Sequence, residues 1–203
     1  MSFKDMLRDK TFLISAAIVV SIIIYTTIYP ALFTKEDPSK WYAHPIGIPP
    51  CKDYPFGTTL TGQNMVDVIP VALRNSLTIG VVAALVSVIV ALLLASIAAL
   101  LKRGVTALMV FIDTMCSIPA LPLLLVAIFA WRDYITVPTI GLVLSILGWA
   151  RPSRTLISIF ASLRNRVFVY TSYLSGLPSY KIILKDFTPY ILRYILVYFI
   201  NLV

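Results

Sequence analysis

Residues Thr11–Thr34 form 24 consecutive positions without a charge. Few folds tolerate that. About 20 apolar residues in a helix cross the ~30 Å hydrocarbon layer of a bilayer, and lipid offers no partner for an unpaired backbone group, so such a run must be helical. Ser76–Leu101 is a second uncharged run. Val105–Trp131 is a third, with Asp113 as its single charge. Tyr134–Ala150 is a short fourth of 17 uncharged residues, and an apolar run from Tyr190 to Val203 reads as the start of a fifth. The chain is 59% hydrophobic and 13% charged, against about 45–50% and 25% in soluble domains; its mean hydropathy is +0.91. The expected fold is therefore an all-α integral membrane protein, a polytopic helical bundle of four spans plus the beginning of another, C-terminally incomplete. Its expected parts are 1–34 (terminal segment and first span), 35–75 (outer loop) and 76–203 (core, with spans 76–101, 105–131 and 134–150, a loop at 151–189 and the next span from 190).

The net charge of +8 reads as topology. Lys4, Arg8, Lys10, Lys102, Arg103, Arg151, Arg154, Arg164, Arg166, Lys181, Lys185 and Arg193 fall on one side if the spans alternate. Lys35, Lys40, Lys52, Arg74 and Arg132 fall on the other with five acids, Glu36, Asp37, Asp53, Asp67 and Asp133. Cytoplasmic loops carry the Lys/Arg excess, so the N-terminus and the 151–189 segment are expected inside, in a multi-pass protein of a cell membrane. No basic tract carries the interleaved aromatics of a nucleic-acid groove, so nucleic acid is excluded as a partner. The first apolar run is too long for a cleaved signal peptide and no small-x-small site follows Tyr29. Cys51 and Cys116 fall in a loop and a span, which disagrees with pairing.

Within the spans, Ala83, Ser87, Ala91, Ala95 and Ala99 recur every four residues. That spacing makes one stripe of small side chains on which another helix can pack closely. Asp113 is costly inside a membrane and has no second acid or base to relay protons with, so a structural role is expected, bonded to backbone or to Arg103. Pro119 and Pro122 should kink the third span, as they would in a helix lining a pathway. Residues 35–63 are rich in turn formers, and 64–74 has the spacing of an interfacial helix. There is no phosphate-binding GxxxxGK[ST] run, no Cys/His cluster for a metal and no histidine beside a nucleophile. His44, the one histidine, lies in the loop. The sequence thus holds no catalytic set, and no metal or cofactor is expected in this chain.

The segment 170–189, "YTSYLSGLPSYKIILKDFTP", reads as helix, tight turn, helix. Leu163, Val167, Tyr170 and Leu174 have the spacing of one face. Gly176 can take the left-handed conformation that ends a helix, Pro178 prevents continuation, Ser179 can cap the next turn, and Pro189 opens the following span. Lys181 and Lys185 lie four apart around Ile182, Ile183 and Leu184. Such a hairpin is either an ordinary loop or a rigid lever that passes a partner's motion to the adjoining spans. Its lysines could also meet lipid phosphate, so membrane lipid is a further expected partner.

This segment resembles the cytoplasmic coupling loop of ATP-binding-cassette (ABC) importer permeases. That loop carries an EAA triplet, then a glycine after three residues, and later a hydrophobic residue and a proline; Gly176, Ile182 and Pro189 match. "GWARPSR" at 148–154, "SLRNRVFV" at 162–169, "PFGT" at 55–58, "RNSLTIG" at 74–80 and "DTMCSIPALPLLLVAI" at 113–128, with its Asp113 and Pro119, resemble the dipeptide/oligopeptide branch, and within it the C-type membrane subunit. The chain departs at the triplet, where Tyr170, Thr171 and Ser172 stand, and at the loop's histidine, replaced by Asp186. The resemblance implies a type I importer fold, a second homologous permease, two cytoplasmic ATPases carrying ATP and Mg, and an outer substrate-binding protein. It implies that Gly176, Ser179, Tyr180, Lys181, Ile182 and Lys185 couple to an ATPase, and that the solute is a peptide. An oligosaccharide or another small solute is the alternative. A membrane anchor or assembly subunit that transports nothing is a second.

Overall fold

The computed structural model describes residues 10–33, 37–101 and 104–203. Lys4, Arg8, Lys35, Glu36, Lys102 and Arg103, on which part of the orientation reading rests, lie outside them, and so does Arg103 as a partner for Asp113. The described residues form two compact units, one up to Leu77 and one from Thr78. They contain no strand; an isolated bridge joins Thr58 and Asn64. The chain is an all-α membrane protein.

Helix α1 (Lys10–Phe33) is 24 residues long, about 36 Å at 1.5 Å per residue. It is apolar on every side, which suits lipid; Ile14, Val19 and Ile24 are among its exposed residues. Tyr25, Tyr29 and Phe33 meet in sequence along its last turns, with ring centroids 5.2 and 5.3 Å apart, the second pair stacked. The following loop satisfies its own backbone: Tyr42 and His44 N–H groups donate to Thr61 and Gly62 carbonyls, and the Gln63 amide donates to the Pro38 carbonyl at 2.9 Å.

Helix α2 (Met65–Leu100) runs for 36 residues. The interfacial helix expected at 64–74 is therefore the first part of α2. Asn64 starts it: its Oδ1 accepts from the Val66 N–H at 3.2 Å, and its amide donates to Asp67. Pro70, in the second turn, is buried and does not end the helix.

The third span is not one kinked helix. It is α3 (Val105–Ser117) and α4 (Ala120–Ala130), bent by 73° at the break between them. A residue before proline is pushed out of the helical region, and Ile118 is extended at φ −75°, ψ 126°, as is Pro119. Pro119 is the entry to α4, and Pro122 lies in its first turn, where a missing N–H costs nothing. The fourth span is shorter than expected. After a 3-10 turn at Arg132–Tyr134, α5 (Val137–Gly148) has 12 residues, about 18 Å, less than the hydrocarbon thickness. Thr136 caps it, accepting from the Thr139 N–H. Trp149 keeps helical angles, so α5 passes directly into α6 (Ala150–Arg164).

Helix α6 carries much of the core of the second unit. Leu156, Ile157, Phe160 and Leu163 of α6 pack in one cluster with Ala91, Ala95 and Ala98 of α2 and Ile112 of α3. The same cluster takes in Val169, Ile182, Phe187 and Ile191 from the remaining segments: α7 (Val167–Leu174), the turn α8 (Ser179–Ile182), a π-helical stretch at Ile183–Phe187, and α9 (Thr188–Leu202).

Candidate functional site: the hairpin at 167–187

The hairpin starts where α6 stops. Asn165 and Arg166 leave the helical ladder, and α7 begins at Val167 in a new phase. The single face expected for Leu163, Val167, Tyr170 and Leu174 is lost at this break. Leu163 is buried, while Val167, Tyr170 and Leu174 are 64–79% exposed. The inward residue of α7 is instead Val169, wholly buried.

Helix α7 ends in a paired backbone cap. The Leu177 N–H donates to the Ser172 carbonyl at 3.3 Å and the Gly176 N–H to the Tyr173 carbonyl at 3.0 Å. This arrangement needs a left-handed residue at the turn, and Gly176 supplies it at φ +75°. A Cβ there would meet no atom within 4 Å, so the requirement is conformational rather than steric. Ser179 does not cap the next turn, because the helix begins one residue earlier than a serine cap requires. Pro178 occupies the cap position, and its carbonyl accepts from the Lys181 and Ile182 N–H groups at 2.9 and 3.3 Å.

The ladder then widens to π geometry over Ile183–Phe187, just ahead of Pro189. Proline has no N–H to donate and its ring crowds the carbonyl four residues back; an inserted π turn relieves that crowding. The result seats Ile182 and Phe187 inward, 1% and 3% exposed. Phe187 meets Phe160 of α6 edge-on with centroids 5.1 Å apart, and Phe168 of α7 stacks on Tyr190 of α9 at 5.5 Å. Burying Ile182 alone is worth roughly 1.5–3 kcal/mol. The hairpin is thus bolted to α6 and α9.

Its charges divide by side. Asp186, the one acid between 151 and 189, is half-buried and accepts from the Ser172 hydroxyl at 2.7 Å. A hydrogen bond to an ionised carboxylate is among the stronger kinds, and this one ties α7 to the π-helical stretch. Tyr180, Lys181, Leu184 and Lys185 are exposed, as are Thr171 and Pro189; Ser179 is half-buried. Lys181 and Lys185 have no ion-pair partner among the described residues. The outward surface offers cations, aromatic rings and apolar tips, with no acid.

In the membrane helices, Ala83, Ser87, Ala91 and Ala95 are buried, and Ala99 is half-buried beside buried Ala98. Facing the stripe's first half are residues that the spacing argument overlooked. A Cβ on Gly141 of α5 would lie 2.8 Å from Val82 Cβ and 2.9 Å from the Ile79 carbonyl oxygen, and one on Gly148 would lie 2.7 Å from Ser87 Oγ. The Ser87 hydroxyl points to the Ser145 carbonyl at 3.5 Å. Gly141, Ser145 and Gly148 are a small-residue face at spacings of four and three, a pattern readable in 134–150. Asp113 pairs across helices with Arg154 of α6, Oδ1 to Nη1 at 2.8 Å. That oxygen is shielded and makes no hydrogen bond, so the contact is one of charge with charge. Pro152 has no N–H for the Gly148 carbonyl, and the Tyr198 hydroxyl of α9 donates to that carbonyl at 3.2 Å.

Residues 87–203 match the family model described as binding-protein-dependent transport system inner membrane component. Three curated relatives align over nearly the whole chain. The oligopeptide transport system permease protein OppC of Haemophilus influenzae is 28% identical over 197 residues, 94% of this chain and 61% of its own length. The OppC protein of Bacillus subtilis is 25% identical, over 94% and 62%. The oligopeptide transport system permease protein AmiD of Streptococcus pneumoniae is 26% identical, over 92% and 61%. The chain thus spans about three fifths of the length of these relatives. The family match takes in the end of α2 from Ser87, the bent pair α3–α4, the α5–α6 junction and the entire hairpin, and the chain belongs to the family of inner membrane components of binding-protein-dependent transport systems.

Proposed function

We propose that this chain is the permease subunit of an ATP-driven importer of peptides, and that the hairpin at 167–187 is where a cytoplasmic ATPase grips it. The observation that carries the reading is the division of the hairpin into two faces. Val169, Ile182 and Phe187 lock it into the core, and Tyr170, Tyr180, Lys181 and Lys185 are left outside. A segment held this way cannot be displaced without moving α6 and α9. Tyr170, Thr171 and Ser172 stand at the triplet positions, with Ser172 and Asp186 bonded to each other, so no acid of the hairpin is available for the ATPase. In this reading the N-terminus and the hairpin are cytoplasmic, in the membrane of a prokaryotic cell. A second homologous permease completes the pathway, two ATPases bind ATP and Mg, and an outer binding protein delivers the solute. Peptide is the solute in the names of the three relatives, which is the ground for proposing it here.

The test is isolation of the assembly in mild detergent, followed by ATP-driven uptake of a labelled peptide into proteoliposomes. The wild-type chain should co-purify with two ATPases and take up peptide. Gly176→Val forces a β-branched residue into the left-handed region, at about 1–2 kcal/mol, and should insert normally yet lose ATPase retention and uptake. A wild-type assembly that carries no ATPase would overturn the reading in favour of an anchor. Uptake of an oligosaccharide but not of peptide would overturn the solute.

A further inference from the structure

Asp113 is the only charge in the 27 residues of the broken third span, and its Oδ1 lies 2.8 Å from a guanidinium nitrogen of Arg154. Helices α3 and α6 pack directly against each other. Two residues before Asp113, Phe111 of α3 stacks on Trp149 with centroids 6.1 Å apart, and the neighbouring Ile112 is wholly buried. Asp113 lies five residues before Ile118, where the span breaks by 73°. Arg154 lies on the helix that leads into the hairpin.

The two side chains are 41% (Asp113) and 56% (Arg154) exposed, but the Asp113 Oδ1 that faces Arg154 is itself shielded, and sliding of the helices would leave that oxygen without its cation. Sliding of α3 along α6 is therefore opposed by the ion pair as well as by the Phe111–Trp149 stack and buried Ile112, whose packing is specific to one register. We infer that Asp113 and Arg154 are positioning residues of the transport cycle: their ion pair makes α3 and α6 move as one body, so that displacement of the hairpin is absorbed at the Ile118–Pro119 break and re-aims α4. The inference rests on the proposed function, because it needs a partner that moves the hairpin.

The test uses the full assembly in proteoliposomes and reads peptide transported per ATP hydrolysed. Asp113→Asn and Arg154→Gln keep size and polarity and remove one charge each. Each should lower that ratio by about tenfold, within the 5–150-fold range of coupling between linked sites, with ATP hydrolysis persisting. The reversed pair Asp113→Arg with Arg154→Asp should recover much of it. A merely structural pair would lower assembly yield and leave the ratio in the surviving complexes unchanged, and that result would overturn the inference. A second measurement covers variants that fail to assemble. Spin labels at the exposed Thr114 and Ser158 of otherwise wild-type protein should give one distance that does not change between nucleotide-free and ATP-bound states. A shift in that distance would equally overturn it. A wild-type assembly without ATP-driven uptake would overturn the proposed function instead, a distinguishable failure.

Discussion

Gly141→Ala adds one methyl group where α5 meets α2, and its effect can be worked from distances. The added Cβ would stand 2.8 Å from Val82 Cβ and 2.9 Å from the Ile79 carbonyl oxygen. Comfortable carbon–carbon contact begins at about 3.5 Å, so the two helices must part by roughly 0.7 Å. One obstacle is backbone and the other is a β-branched stem, and neither can swing aside. Overpacking of this kind costs about 1–3 kcal/mol. Alanine's better helix propensity returns up to about 1 kcal/mol. The midpoints, about 2 and about 0.5 kcal/mol, leave a net loss of about 1.5 kcal/mol, which for a chain of this size lowers the melting temperature by roughly 3–6 °C. The assay is thermal unfolding in detergent, followed by tryptophan fluorescence. Gly148→Ala is the internal comparison. Its nearest neighbour is Ser87 Oγ, the rotatable end of a small side chain, so its loss should be smaller and should vanish when Ser87→Ala is added. A Gly141→Ala protein that melts at or above the wild-type temperature would refute the close approach of α2 and α5.

Tyr198→Phe should lower stability by about 1 kcal/mol, the net worth of a hydrogen bond to a half-buried carbonyl, and Pro152→Ala in the same protein should restore it by returning an N–H to Gly148; thermal unfolding reads both. Ser172→Ala removes the hydroxyl that Asp186 accepts from, and should increase protease cleavage between Leu174 and Pro178 with α6 unchanged. A Ser172→Ala hairpin as protected as the wild type would show that the bond does not hold it closed. The Ser39 hydroxyl, and after it the Ser39 N–H, hold the Asp37 carboxyl below its ordinary value of 3.8. A depressed carboxyl stabilises its local structure above the unfolded value and loses that contribution as pH falls through the folded one. The Ser39 amide resonance should therefore titrate with a midpoint below 3.8 and stay constant above it, whereas a midpoint at or above 3.8 would mean that the turn does not form.

The parts of this molecule legible in the sequence were those that a local rule dictates. Uncharged runs too long for anything but a span became α1 and the greater part of α2. Gly176 read as a left-handed turn because few other residues adopt it without strain. The sequence was less clear where rules of different range compete. Pro119 announced a kink, but whether a proline bends a helix or ends it depends on what the freed chain packs against; here it ended α3. The 17-residue run at 134–150 shortened to 12 helical residues because Thr136 capped the helix late and Trp149 joined what followed to α6. Least legible were the pairings. Ser172 and Asp186 are 14 residues apart, Gly148 and Tyr198 are 50 apart, and Asp113 finds its cation on another helix. None of these partners has a spacing that periodicity could detect.

The prolines of the second unit give those long-range pairs their meaning. Pro119 opens α4, Pro152 sits in the first turn of α6, Pro178 precedes α8 and Pro189 follows the π-helical stretch. Each marks a place where the backbone ladder is interrupted, and a proline cannot repair the interruption itself. Between them run α4, α5, α6 and α7, helices of 8–15 residues, short enough to behave as rods. At Gly148 the freed carbonyl is taken by Tyr198, which makes the α5–α6 junction a fixed joint. At Ile118–Pro119 the break follows an ion pair that holds α3 to α6 and leaves α4 without a buried residue. The two prolines thus leave different joints: at Gly148 a hydroxyl from α9 takes the carbonyl that Pro152 cannot serve, whereas at Met115 the neighbouring Ile118 N–H takes it within the break itself. In the proposed coupling, motion entering through the hairpin should leave the α5–α6 joint unchanged and appear at the Ile118–Pro119 break, at α4.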